Sequence, residues 1–248
     1  FLEVILEGPD GDMPTWVVSG SDDTWVVFVH DFGADRTESL RVLPELHRLG
    51  LPVVVPALDG AEVAARDRSD LGTERWRAVA VAVDFALGSG ATDVVLFGSG
   101  AGASAVLLAT DEGRYDRVTA ALVLDAPLLD PAADTDRRLA ADRVPGFLIG
   151  WAKAMATFRY GVDWTRLDHV ARAVHQDRPI LVIHGDRDVR FGLESSRAFV
   201  EAARDATLVV VAGAGSGEAW NLDPESYEAA LSDFLEETVV GRRQDPAG

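Results

Sequence analysis

Two periods of apolar and polar positions run along this chain. WVVFVH (Trp25–His30) and Pro52–Pro56 are continuous apolar runs, the pattern of strands buried on both faces. Asp93–Phe97, Thr119–Leu124, Ile180–His184 and Thr207–Val211 read as further strands. Between them, apolar residues recur at helical spacing. Leu40, Leu43 and Leu46 predict a helix over Thr37–Leu49, and Trp76, Val79, Val83 and Leu87 predict another over Thr73–Leu87, with Gly50 and Gly88 just beyond their ends. Ala101–Thr110, Leu193–Ala203 and Pro224–Glu237 read as helices too, the last opened by proline. At the start, Leu2–Leu6 and Trp16–Ser19 read as two short strands separated by the turn residues Gly8, Pro9, Asp10 and Gly11.

Strands alternating with helices imply a mostly parallel sheet with right-handed crossovers. The interval between Pro127 and Pro179 is too long for a plain loop. It holds GFLIGWAKAMATF (146–158), apolar on nearly every side, and WTRLDHVARAV (164–174) at helical spacing. The expected organisation is a core of residues 1–126 and 179–240, a helical cap inserted at 127–178, and a flexible tail at 241–248. An ordinary packing pair of helices is the plainer reading of the insert.

Composition narrows the function. Acids outnumber bases 41 to 23, a formal charge of −18. Such a surface repels polyanions, so neither nucleic acid nor a membrane is expected as a partner. There are no cysteines, which excludes disulfides, thiol catalysis and cysteine-ligated metals. Asp186 and Asp188 form a lone Asp-x-Asp without a His or Glu at helical spacing, so no metal and no cofactor is expected. No signal-peptide pattern or long apolar span is read, and the expected location is the cytoplasm.

In doubly wound sheets, ligands bind at the carboxyl ends of the strands. Four segments end strands at that edge: His30–Gly33, Gly98–Gly102, His184–Asp188 and Ala212–Trp220. Their order and spacing, with AWNLDP (219–224) and LVLDAPLLD (122–130), resemble the α/β-hydrolase superfamily, and within it an actinobacterial group. The resemblance implies an α/β-hydrolase fold, with an eight-stranded, mostly parallel sheet, helices on both faces and a small cap. It also assigns roles. VVLFGSGAGASAV (94–106) matches the strand–turn–helix that presents a catalytic serine in Gly-x-Ser-x-Gly. Gly98 and Gly102 fill the outer positions, but Gly100 stands where the nucleophile belongs. HGDRD places Asp188 at the triad acid, while Ser216 falls where the histidine belongs. The His30 loop resembles the oxyanion loop His-Gly-x-Gly, with Asp31 in place of the first glycine. The backbone N–H groups of Phe32 and Ala101 are the implied oxyanion donors.

A hydroxyl, an imidazole and a carboxylate are needed for that mechanism, and two of the three are absent. Losing nucleophile or base costs about 10⁶-fold in turnover, roughly 8 kcal/mol. Glycine at the elbow removes the strain of a positive φ, on the order of 1–3 kcal/mol. Ser99 and Ser104 are the remaining serines near the elbow. His30, with His47, His169, His175 and His184, completes the histidines. The expected pocket is bounded by Phe32, Gly100, Ala101, Asp188 and Ser216, with Trp151 and Phe158 of the cap above it; His30 anchors its loop. The expectation is a non-hydrolytic pseudoenzyme that binds a small apolar ligand or a partner. The alternatives are a lyase, isomerase or cyclase using Asp188 in the vacated pocket, and a weak ester hydrolase with an unrecognised nucleophile.

Overall fold

The computed structural model describes residues 1–31, 33–58 and 74–241. Eight strands form one sheet: β1 (Leu2–Gly8), β2 (Gly11–Val18), β3 (Thr24–Val29), β4 (Val53–Pro56), β5 (Asp93–Ser99), β6 (Thr119–Asp125), β7 (Ile180–Gly185) and β8 (Ala206–Val211). Their order is β1-β2-β4-β3-β5-β6-β7-β8. β1 and β2 form an antiparallel hairpin closing at Gly8 opposite Gly11, and β2 also pairs antiparallel with β4. Every other pairing is parallel.

The apolar runs are buried on both faces because side chains alternate across the sheet. Val27, Val29, Leu96, Leu122 and Val182 face one core, against helices α2 (Trp76–Gly88), α3 (Ala101–Asp111) and α7 (Leu193–Ala202). Val26, Phe28, Phe97, Val123 and Ile183 face the other, against α1 (Leu43–Arg48) and α9 (Pro224–Leu235). Thr73, the expected start of α2, and residues 242–248 of the expected tail lie outside the described residues.

Two expectations about helices are corrected. Thr37–Leu49 is a 3₁₀ turn (Arg36–Arg41) followed by α1 rather than one helix. Pro44 has no N–H for the carbonyl of Leu40, and its ring excludes that carbonyl from a continuous helix. Trp164–Val174 holds only α6 (His169–Arg172) and a short 3₁₀ turn. Asp163 accepts from the N–H groups of Thr165 (3.1 Å) and Arg166 (3.0 Å), and Asp168 caps Ala171 at 2.9 Å. Such local bonds divert the backbone from a longer helix. The sequence reading also passed over α4 (Pro131–Ala141), although Asp130 caps it through Ala133 N at 2.9 Å and proline opens it. α5 (Gly146–Tyr160) follows, and α8 (Ala219–Leu222) lies before α9.

The turn between β5 and α3 is where backbone approaches backbone. A Cβ on Gly102 would stand 2.6 Å from the carbonyl oxygen of His30 and overlap that of Val29. One on Gly98 would stand 2.6 Å from Ala103 N. Glycine at both positions lets α3 lie directly on β3 and β5, which fixes its N-terminus over the sheet edge. Gly102→Ala is expected to cost about 1–3 kcal/mol by overpacking against backbone that cannot yield. Thermal unfolding would show this as a melting temperature lower by several degrees; an unchanged value would contradict the close approach.

Candidate functional site

Gly100 caps α3 at φ +55°, the left-handed turn expected of a nucleophile elbow. Its neighbour is Asp31, from the loop after β3. Asp31 Oδ1 accepts a hydrogen bond from Ala101 N at 2.8 Å. Oδ2 pairs with Arg190 Nη1 at 2.7 Å. A side chain on Gly100 would overlap this carboxylate: its Cβ would stand 2.8 Å from Asp31 Cβ and closer still to Cγ and Oδ1. Asp31 therefore occupies both the volume a serine side chain would need and the N–H expected to hold an oxyanion. The helix N-terminus, where a transient negative charge would be stabilised, is bonded to a side-chain carboxylate instead.

Glu38 holds Asp31 from behind. Its Oε2 accepts from Asp31 N (2.8 Å), and its Oε1 accepts from Ser99 Oγ (2.9 Å) and Arg41 Nη2 (3.0 Å). Arg41 Nη1 donates to the carbonyl of Gly217 at 2.7 Å, tying this cluster to the loop after β8. Below lies Asp125, buried at the end of β6, with Tyr227 Oη donating to Oδ2 at 3.1 Å and Arg41 Nη2 at 3.7 Å. Burial pushes the Asp125 carboxyl up to about 6, against the downward pull of Arg41 and Tyr227.

Asp188, the residue the resemblance assigns to a triad acid, lies in the loop after β7 beside Ser216. Asp188 Oδ1 accepts from Ser216 Oγ, from Arg190 N (2.7 Å) and from Phe191 N (2.9 Å), and His184 Nε2 stands 3.4 Å from Oδ2. Burial raises this carboxyl, but the hydrogen bonds from His184, Ser216, Phe191 and Arg190 hold it below the usual range. The hydrogen bond from Ser216 Oγ thus ties Asp188 to the loop after β8.

The other predicted residues, Phe32 apart, can be placed. His30 is buried, with Leu58 N donating to Nε2 (3.2 Å) and Nδ1 donating to the carbonyl of Asp31 (3.0 Å), so both ring nitrogens anchor the loop. Phe32 lies outside the described residues. A cleft of about 240 Å³ opens above Gly100, walled by Asp31, Glu38, Ser99, Arg190, Phe191 and Ser216 among others. Ala101 and Asp188 do not line the cleft. Neither do Trp151 and Phe158, which the sequence reading set over it: they project from α5 at 64% and 85% exposure. Arg190 and Phe191 also line a second hollow of about 300 Å³ beside α4, with Leu128, Pro131 and Leu139. A cavity of about 660 Å³ lies at the opposite edge of the sheet, among Thr24, Thr119 and Pro179, away from these turns.

Among the described residues, two serine–histidine pairs lie elsewhere. Ser104 Oγ meets His169 Nε2 at 2.7 Å, and Ser196 Oγ meets His184 Nδ1 at 2.7 Å. All four residues are buried, and none lines the cleft. Burial pushes His169 down to about 3, so it stays neutral near pH 7. Asp31, Glu38, Arg41 and Arg190 were not foreseen as a set. The signal available was Asp31 itself, an acid in place of the oxyanion loop's glycine.

The Asp125 carboxyl binds its proton more tightly in the folded chain than at the unfolded value of 3.8. Folding stability therefore falls as pH rises from about 4 to about 6 and levels off above. Asp125→Asn removes this penalty, on the order of 3 kcal/mol at most. Urea unfolding from pH 4 to 8 should show the variant gaining on the parent as pH rises; a constant difference would refute the assignment.

Neither a scan of family models nor a search of curated proteins finds a match. Solved structures do match. A Pyrococcus furiosus esterase superposes with a TM-score of 0.73 at 16% identity, covering 96% of this chain and 90% of that one. Est1E from Butyrivibrio proteoclasticus gives 0.71 at 16% identity, covering 96% and 99%. A thermophilic esterase from Thermogutta terrifontis gives 0.66 at 20% identity, again covering 96% and 99%. With its eight-stranded, mostly parallel sheet, its glycine-flanked elbow and these neighbours, the chain has the α/β-hydrolase fold.

Proposed function

We propose that this chain keeps the α/β-hydrolase frame and has given up serine-hydrolase chemistry, leaving a non-hydrolytic binding protein. The observation that carries the reading is the Asp31 carboxylate seated on Ala101 N and overlapping the space of any side chain at position 100. Attack by a residue-100 hydroxyl needs that space, and an oxyanion needs that N–H. Both are taken by a group that Arg190 also holds. A fold shared with esterases does not carry their activity, because the activity resides in the site.

Acid–base work by Asp188 is not favoured. Its Oδ1 already accepts from Ser216, Arg190 N and Phe191 N, and its proton affinity is lowered, which makes it a weak base. The cleft can still bind. Two carboxylates, a guanidinium and two hydroxyls around about 240 Å³ suit a small polar molecule. The expectation of an apolar ligand rested on Trp151 and Phe158, which stand elsewhere.

A fluorophosphonate probe is expected to leave the protein unlabelled. The double variant Gly100→Ser/Ser216→His should stay inert toward the probe and p-nitrophenyl acetate, because Asp31 still fills the site. Adding Asp31→Gly to that pair should give labelling at position 100 and measurable turnover. Stoichiometric labelling of the parent chain, or activity in the double variant, would overturn the reading.

A further inference from the structure

Helix α5 carries its apolar residues on the wrong side for a monomer in water. Of its 15 residues only Ile149 is buried, with Lys153 and Ala156 part-buried on the same stripe. At 100° per residue, Phe147, Trp151, Met155 and Phe158 fall together on the opposite face. They are exposed by 77%, 64%, 38% and 85%. Leu148 and Tyr160 are exposed as well. The inner side is tied down by polar bonds: Lys153 Nζ to Asp136 Oδ2 (2.8 Å), Trp164 Nε1 to the carbonyl of Lys153 (3.3 Å) and Thr157 Oγ1 to the carbonyl of Val162 (3.0 Å). The outward face is therefore fixed in place. Each large side chain left in water forgoes roughly 1.5–3 kcal/mol of burial, and contiguous patches of this kind mark interaction surfaces.

Charge selects the partner. The chain has 41 acidic residues, yet none lies between Arg143 and Val162, where the charged residues are Arg143, Lys153 and Arg159. The chain-wide charge, which argues against a membrane, is thus not the charge of this stretch. Joining two copies through α5 would set like charges against each other and bring two bodies of net charge −18 together. A lipid–water interface has neither penalty. Its acyl boundary takes Phe and Trp, its headgroup level takes Tyr, and its phosphates take Arg and Lys. Among the described residues no helix is long and apolar enough to cross a membrane, so α5 would lie along the surface.

We propose that α5 docks the protein on a phospholipid bilayer surface, with Phe147, Trp151 and Phe158 at the acyl boundary and Arg143 and Arg159 at the phosphates. The contact is chiefly apolar, so a zwitterionic surface suffices.

The test is flotation of the full chain with phosphatidylcholine vesicles. The parent protein should float with them, and its tryptophan emission should shift to the blue. Phe147→Ser/Phe158→Ser keeps the net charge and should lower the partition at least tenfold, with an unchanged melting temperature because both rings face solvent. Three results would each overturn the proposal. The parent could stay with the soluble fraction; the serine variant could float equally well; or sedimentation velocity without lipid could reveal a dimer that the serine variant loses, assigning the face to a second copy.

Discussion

The carboxylate of Asp31 at the N-terminus of α3 is the contact on which the rest of the site depends. A helix N-terminus offers unpaired N–H groups and a positive dipole end, and an anion there gains a charge-assisted hydrogen bond worth about 1.5–3 kcal/mol. In a hydrolase that gain is reserved for a charge that forms during reaction. Here Asp31 takes it in the ground state through Ala101 N. Only a glycine at position 100 leaves room, and only glycine holds φ +55° without strain. The glycine at position 100 and the acid at position 31 are two sides of one packing solution.

The surrounding polar groups follow from that placement. A carboxylate drawn into the elbow needs partners, and Arg190 on one side and the Glu38–Arg41 pair on the other hold the loop that carries it. Asp188 has a new task in the same frame. Its Oδ1 gathers the N–H groups of Arg190 and Phe191 and the Ser216 hydroxyl, so it joins the loop after β7 to the loop after β8. By fixing the backbone of residue 190 it also aims the guanidinium that reaches Asp31.

Much of the fold was legible because its signals are local. WVVFVH and the other apolar runs announce two-sided strands, and Gly98 and Gly102 announce a close helix–strand approach. That Gly100 and Ser216 stand where the resemblance assigns a nucleophile and a histidine was legible in the sequence. What filled the space was not: Asp31 and Gly100 lie in different loops, and their overlap exists only once β3 and β5 pair in register. The direction of α5 was hidden for another reason. GFLIGWAKAMATF has apolar residues around its whole circumference, so periodicity cannot tell which stripe meets the body, and Trp151 and Phe158, expected over the cleft, are exposed and do not line it. Pro44 and Asp163 carried stop signals that the run of leucines and the WTRLDHVARAV spacing masked.

Arg190 belongs to two cavities at once. Its side chain and that of Phe191, stacked 4.8 Å from guanidinium carbon to ring centre, form the partition between the polar cleft over Gly100 and the hollow beside α4. Swinging this half-exposed arginine away from Asp31 would do more than free a carboxylate. It would also uncover the Phe191 ring on which the guanidinium rests, so a change on the cleft side is felt on the α4 side as well.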